Sequence, residues 1–138
     1  MKTSNNQNVT VHPLNVKDLK PYVNNARRHS NSQIKQIAKS IETFGFVNPI
    51  LIDKDRMIIA GHGRVAAAQL LGLETVPTLT LDHLTQEQVR AYIITDNRLA
   101  EKAGWDQELL TLELQTLLEM DLSFEIDATG FSMPEIDF

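Results

Sequence analysis

Cysteine is missing from the 138 residues. That single absence excludes disulfides, zinc–thiolate centres, thiol nucleophiles and Fe–S clusters. No apolar run approaches the roughly 18 residues of a membrane span, and the polar start Met1–Asn8 lacks the apolar stretch of a signal peptide. A cytoplasmic protein without a membrane partner is the expectation. Other signatures are lacking too. His12, His29, His62 and His83 show neither HExxH nor His-x-His spacing, so no dedicated transition-metal site is expected. There is no Walker A Gly-x-x-x-x-Gly-Lys and no three-glycine dinucleotide fingerprint.

What remains is an ordinary globular composition, 42% hydrophobic, at a length that suits one domain with its own core. The net charge of −5 argues at first against a phosphate ligand, but it averages two unlike parts. Residues 1–64 carry ten Lys/Arg against four Asp/Glu, net +6. Residues 65–138 carry three against fourteen, net −11. An anion should therefore meet the first part.

Hydrophobic periodicity sets the organisation. Val9 to Val16 suggests a short strand broken by Pro13. Ile34, Ile37, Ala38, Ile41 and Phe44 follow helical spacing, with Ser30 or Ser32 as the cap and Gly45 as the stop. FVNPILI (46–52) is expected as a strand, polar 53–56 as a turn, and MIIA (57–60) as the returning strand of a hairpin. A helix apolar almost all round then runs from Gly61 to Gly72, followed by a strand at 76–81. Thr85 with Gln88 forms a capping box for a helix reaching about Leu99. Asp106 caps a last helix to about Met120, with Trp105 and Leu110 placed as a hydrophobic staple. The order β-α-β-β-α-β-α-α predicts an α+β domain with a small mixed sheet flanked by about four helices. Residues 1–8 are expected to be disordered, 9–122 to form the domain, and 123–138 to be a linker or the start of a following segment.

Three clusters carry possible chemistry. The first is Gly61-His62-Gly63-Arg64 between a strand and a helix. A helix N-terminus offers unpaired N–H groups and partial positive charge, the glycines allow close approach, and Arg64 adds a fixed charge. The second is Arg27-Arg28-His29, just ahead of the preceding helix. The third is Asp96-Asn97-Arg98, whose carboxylate and carboxamide oxygens suit Mg²⁺. The alternatives are, in turn, a tight turn with a solvated Arg, a solvated basic loop, and a polar helix end. Asp53 and Asp55 sit on the hairpin turn, where solvated carboxylates are usual.

The segments N-N-A-R-R-H-S (24–30), S-I-E-T-F-G-F-V-N-P-I-L-I (40–52) and A-G-H-G-R-V-A-A-A (60–68) resemble the N-terminal domain of ParB-like proteins, which shares its fold with sulfiredoxin and is often labelled a ParB-like nuclease domain. Asn48 stands where the family has Gln, and His62-Gly63 stand where its phosphate loop has Glu-Arg. Gly61, Arg64 and Ala67 keep the frame. I-T-D-N-R-L-A-E-K-A-G-W-D (94–106) with T-G-F-S-M-P-E-I (129–136) is similar to the ParB-like domain that precedes DNA methyltransferases in phage and bacterial proteins. No methylase motif is present, so this chain by itself does not methylate; it is an excised segment or a free-standing homologue.

The resemblance implies a Mg²⁺-bound CTP or ATP, with the phosphates on Gly61, His62, Gly63 and Arg64. It further implies that Arg28, Asn97 and Arg98 help to bind the nucleotide, and that Asn97 and Asp96 hold the metal. DNA, contacted non-specifically or through another domain, and a homodimer are the partners it implies, in DNA partition or modification. The competing readings are a metal-dependent nuclease using Asp96 and Glu101, a nucleotide-dependent kinase or NTPase, and a non-catalytic interaction module. Sulfiredoxin activity is excluded, because the cysteine it needs is absent.

Overall fold

The computed structural model describes residues 10–25, 28–132 and 135. Among them four strands and four α-helices follow in the order β1 (His12–Asn15), α1 (Asn31–Phe44), β2 (Ile50–Ile52), β3 (Ile58–Ala60), α2 (His62–Leu71), β4 (Thr75–Thr80), α3 (Gln86–Lys102) and α4 (Gln107–Glu119). The α+β expectation and its element order hold. The expected disordered N-terminus, residues 1–8, lies outside the described residues.

Local sequence explains where each helix begins. Ser30 Oγ accepts the Gln33 N–H at 3.1 Å and Gln33 Oε1 accepts the Ser30 N–H at 3.0 Å. Thr85 and Gln88 close the same reciprocal box at 3.2 and 2.9 Å. Asp106 caps α4 by accepting the Leu109 N–H at 3.1 Å. Only α2, among these helices, starts without a side-chain cap; its N-cap is Gly61 at φ 109.

The sheet order is β1-β4-β2-β3, with β2–β4 parallel and the outer pairs antiparallel. The strand expected from Phe46 begins only at Ile50, because Pro49 has no N–H to give the ladder. Pro13 is tolerated because β1 is an edge strand, and it faces Pro77 across the pair. At the hairpin turn Asp53 Oδ1 accepts the N–H groups of Asp55 and Met57 at 2.8 and 2.9 Å, so this carboxylate builds the turn.

Both faces of the sheet are covered. On one face Ile50, Ile52, Ile58 and Val76 pack with Val65 and Ala68 of α2, and α1 lies on α2. On the other, Ile59 packs with Val89 and Ile93 of α3. The adjacent residues Ile58 and Ile59 point into different clusters, as strand alternation requires. A third cluster joins Leu114 of α4 to Ile126 in the 3₁₀ turn Ile126–Thr129.

The stretch that the sequence suggests as a linker folds back over 123–132. Glu125 and Asp127 pair with Lys39 of α1, at 2.7 Å for Glu125, and Gln36 Nε2 donates to the Asp127 carbonyl at 2.8 Å. Phe124 meets Phe44 edge-on at 5.6 Å. The Trp105 ring, expected in a staple, meets Phe131 edge-on at 5.7 Å.

Candidate functional site

The site is built around the uncapped start of α2. Gly61 needs its left-handed backbone, and its space is already taken. A Cβ there would lie 2.7 Å from Ile50 Cδ1 and 3.1 Å from Arg64 Nη2. Gly63 is tight for a different reason, since a Cβ would lie 2.9 Å from Ile37 Cδ1 and 3.0 Å from His29 Nε2. The missing side chain at Gly63 therefore lets the His29 ring rest on the first turn of α2. The first in-helix bond is Val65 N–H to Gly61 O at 2.9 Å. The N–H groups of His62, Gly63 and Arg64 precede it and have no acceptor within the helix.

Arg64 Nη2 donates to the Pro49 carbonyl at 3.1 Å, while its Nε–H is buried without a partner. Burial lowers the Arg64 pKa, and the Asp96 carboxylate acts in the opposite direction. His62 Nε2 accepts the Tyr22 N–H at 3.1 Å. This fixes the neutral tautomer with its proton on Nδ1. Burial, and then the nearby His29, hold the His62 pKa below 6.5. Burial followed by Asp96 raises the Tyr92 hydroxyl pKa.

A narrow recess of about 50 Å³ lies here, lined by Gly61, His62, His29, Asn25, Asp96 and Asn97, among others. Beside it opens a cavity of about 590 Å³ between the 22–24 segment and α3, where Tyr22, Asn24 and Arg98 are among the walls. The two share Ile93 and Asn97.

The topology thus brings together Gly61, His62, Gly63, Arg64, His29, Asp96 and Asn97. Arg98 faces the larger cavity and pairs with Glu101 at 3.2 Å. Arg28 is exposed and lines neither opening. Arg27 lies outside the described residues. Asn97 Nδ2 donates back to the Ile93 carbonyl at 3.0 Å, which leaves its Oδ1 available. Among the described residues no group of three or more His/Cys/Asp/Glu could hold a metal. Asp96 and Asn97 offer one carboxylate and one carboxamide, a set that fits Mg²⁺ only when phosphates supply further oxygens.

Tyr22 and Asn25 were not indicated by sequence spacing. Tyr22 stands 40 residues from His62, and it arrives there because Lys20 pairs with Met57 beside β3. No local pattern encodes that bridge.

Fold and site together define a small α+β domain of the kind shared by ParB and sulfiredoxin, with an anion-competent helix start. Comparison with solved structures agrees. The crystal structure of C-terminally truncated chromosome-partitioning protein ParB from Caulobacter crescentus, complexed with CTP-γ-S, superposes with a TM-score of 0.69 at 25% identity, over 80% of this chain and 63% of that one. Sulfiredoxin from Arabidopsis thaliana matches in fold, with a TM-score of 0.51 at 22% identity over 61% of this chain and 97% of that one.

The ParB N-terminal domain family matches residues 1–97, and the chain belongs to that family. It is 49% identical over 80 residues to the ParB-like nuclease domain-containing protein YnaK of Escherichia coli, covering 58% of this chain and 90% of that protein. It is 31% identical over 99 residues to the probable chromosome-partitioning protein ParB of Rickettsia typhi, covering 67% of this chain and 35% of that protein. The chain thus spans about a third of the latter's length.

Proposed function

We propose that this domain binds a nucleoside triphosphate, CTP or ATP, with its phosphates at the start of α2, in the service of a DNA-associated protein. The observation that carries the proposal is the pairing of an uncapped α2 with the buried, unpartnered Nε–H of Arg64. Buried donors are nearly always satisfied, and helix starts that lack an anion normally recruit a cap, as α1, α3 and α4 do. An anion at this point would answer both needs. Its similarity to a ParB crystallised with CTP-γ-S supports a nucleotide as the source of that anion.

Asp96 determines what must accompany the ligand. A carboxylate on the recess wall repels phosphate oxygens, and a divalent cation between them reverses the sign of that interaction. Asp96 and Asn97 would hold Mg²⁺ jointly with the phosphates, and the ion would offset their charge. Gly61, Gly63 and the backbone of His62 admit the phosphates, Arg64 donates to them, and Arg98, on the wall of the adjoining cavity, flanks the entrance.

Isothermal titration with CTP, ATP and GTP in the presence of Mg²⁺ tests the proposal. Saturable binding of at least one, lost in Arg64→Ala, is expected. Absence of heat at millimolar ligand with folded protein overturns it. The alternative of a metal-dependent nuclease draws on the name of the Escherichia coli relative. The recess supplies one carboxylate, Asp96, where two-metal cleavage needs several. Plasmid nicking in Mg²⁺ or Mn²⁺ that disappears in Asp96→Asn would favour it.

A further inference from the structure

The acidic part of the chain contains a basic row. Residues 65–138 hold three Lys/Arg, namely Arg90, Arg98 and Lys102, and all three stand on α3. With Ile94 they step along the helix at intervals of four residues, which places them on one slanting face. The row extends about 18 Å at the helical rise of ~1.5 Å per residue. Of the fourteen carboxylates in this part, Glu87, Asp96 and Glu101 stand on α3 as well, so the row is the positive charge this part offers a phosphate, with Glu101 beside Arg98.

Arg90 and Arg98 also line the cavity of about 590 Å³, whose other walls are Tyr22, Asn24, Ile93, Ile94, Asn97 and Glu101. An apolar and aromatic wall next to guanidinium groups suits an unstacked base joined to a phosphodiester backbone. A base inside a duplex cannot enter such a cavity. Ile94 is 68% exposed. Arg98 is held by Glu101, but both side chains are well exposed, and an exposed pair of this kind opens at little cost. Arg90 has no ion-pair partner among the described residues.

We propose that this face of α3 binds single-stranded nucleic acid, with Arg90, Arg98 and Lys102 on successive phosphates and one base lodged in the cavity. The cavity adjoins the recess at α2, the two sharing Ile93 and Asn97, and Arg98 flanks both, so the substitutions that separate the two proposals leave Arg98 in place. Arg64→Ala abolishes mononucleotide binding, whereas the double substitution Arg90→Gln/Lys102→Gln weakens strand binding and leaves mononucleotide binding unchanged.

The experiment is fluorescence anisotropy of the full chain with labelled oligo-dT and oligo-rU, and with a duplex of equal length. Three phosphate contacts predict a slope near −2 in log affinity against log salt, an affinity loss of about 20-fold between 50 and 200 mM salt. In Arg90→Gln/Lys102→Gln one contact is left, and that loss shrinks to about threefold. Lys54→Gln, on the hairpin turn away from the row, keeps the wild-type slope. Superimposable thermal melts establish that the double variant is folded. Either oligonucleotide satisfies the proposal, and their affinity ratio tells which sugar is preferred. The proposal is overturned by no binding at 50 mM salt, by an unchanged salt slope in the double variant, or by a duplex bound as tightly as the single strand.

Discussion

The β2–α2 region and the α3–α4 region differ in both packing and charge. Around β2 and α2 the chain is closely packed: Ile50 and Ala67 are fully buried, and Gly61 and Gly63 touch neighbours where a Cβ would be. Along α4 a single residue, Leu114, is buried, while Leu109 and Leu112 are 61% and 58% exposed. Glycine shows the same contrast. Gly61 is confined by Ile50 and Arg64, whereas a Cβ at Gly104 would meet nothing within 4 Å. Close packing is concentrated where backbone N–H groups must hold a fixed direction, while α3 buries Val89 and Ile93 and α4 buries Leu114. A preorganised anion site needs that arrangement, because each unit of disorder in the donors weakens the bound state.

The largest expected effect separates the two regions by stability. Ile50→Ala should lose about 2–5 kcal/mol, the usual cost of an isoleucine cavity. Leu112→Ala should stay within about 0.5 kcal/mol, as exposed substitutions do. Urea denaturation measures both, and equal losses would break the comparison.

Next comes Gly61→Ala, which forces a side chain into φ 109 against Ile50. A loss of about 1–3 kcal/mol is expected from the backbone alone, together with loss of nucleotide binding. Gly104→Ala should be neutral or slightly stabilising. Third, Arg64→Ala removes one hydrogen bond, worth about 1 kcal/mol, yet should weaken nucleotide binding by tenfold or more. A variant that melts far lower but binds normally would make Arg64 a structural residue.

The smallest effect is on pH dependence. Burial lowers the folded-state pKa of His62 below 6.5, so between the two values the unfolded chain binds more protons. This contribution to stability is complete above pH 6.5 and is lost as pH falls through the folded-state value. His62→Gln keeps an acceptor for the Tyr22 N–H but cannot take up a proton. Its stability should therefore decline less below pH 6.5 than that of the wild type, measured as the difference between the two denaturation curves. Parallel curves would mean that His62 is not held neutral by its surroundings.

Much of this arrangement was legible because it is local. Ser30 or Ser32, Thr85 with Gln88, and Asp106 announce their helices through cap chemistry, and Gly61-His62-Gly63-Arg64 announces its turn, while the structure decides for Ser30. The resemblance of 24–30, 40–52 and 60–68 to ParB-like domains led to the family that the comparisons show. What escaped was long-range. Tyr22 reaches His62 through the Lys20–Met57 bridge, and His29 rests on Gly63 because α1 packs on α2. The fold-back of 123–132 depends on Lys39 and Gln36, more than 80 residues away. An acidic stretch with Gly and Pro resembles a linker until the cation it pairs with is known. The strand at 46–52 was overextended for a simpler reason, that Pro49 removes a ladder donor.

The most direct test of the central claim is a ¹H–¹⁵N correlation spectrum of the full chain titrated with Mg²⁺–CTP. Phosphates on the uncapped start of α2 should shift the amides of His62, Gly63 and Arg64 first and furthest, with the Arg64 Nε–H moving in step, and the backbone amides at 62–64 should stay unmoved in Arg64→Ala. Shifts that leave those amides in place, and gather on α4 or the hairpin turn at 53–56, would contradict the account.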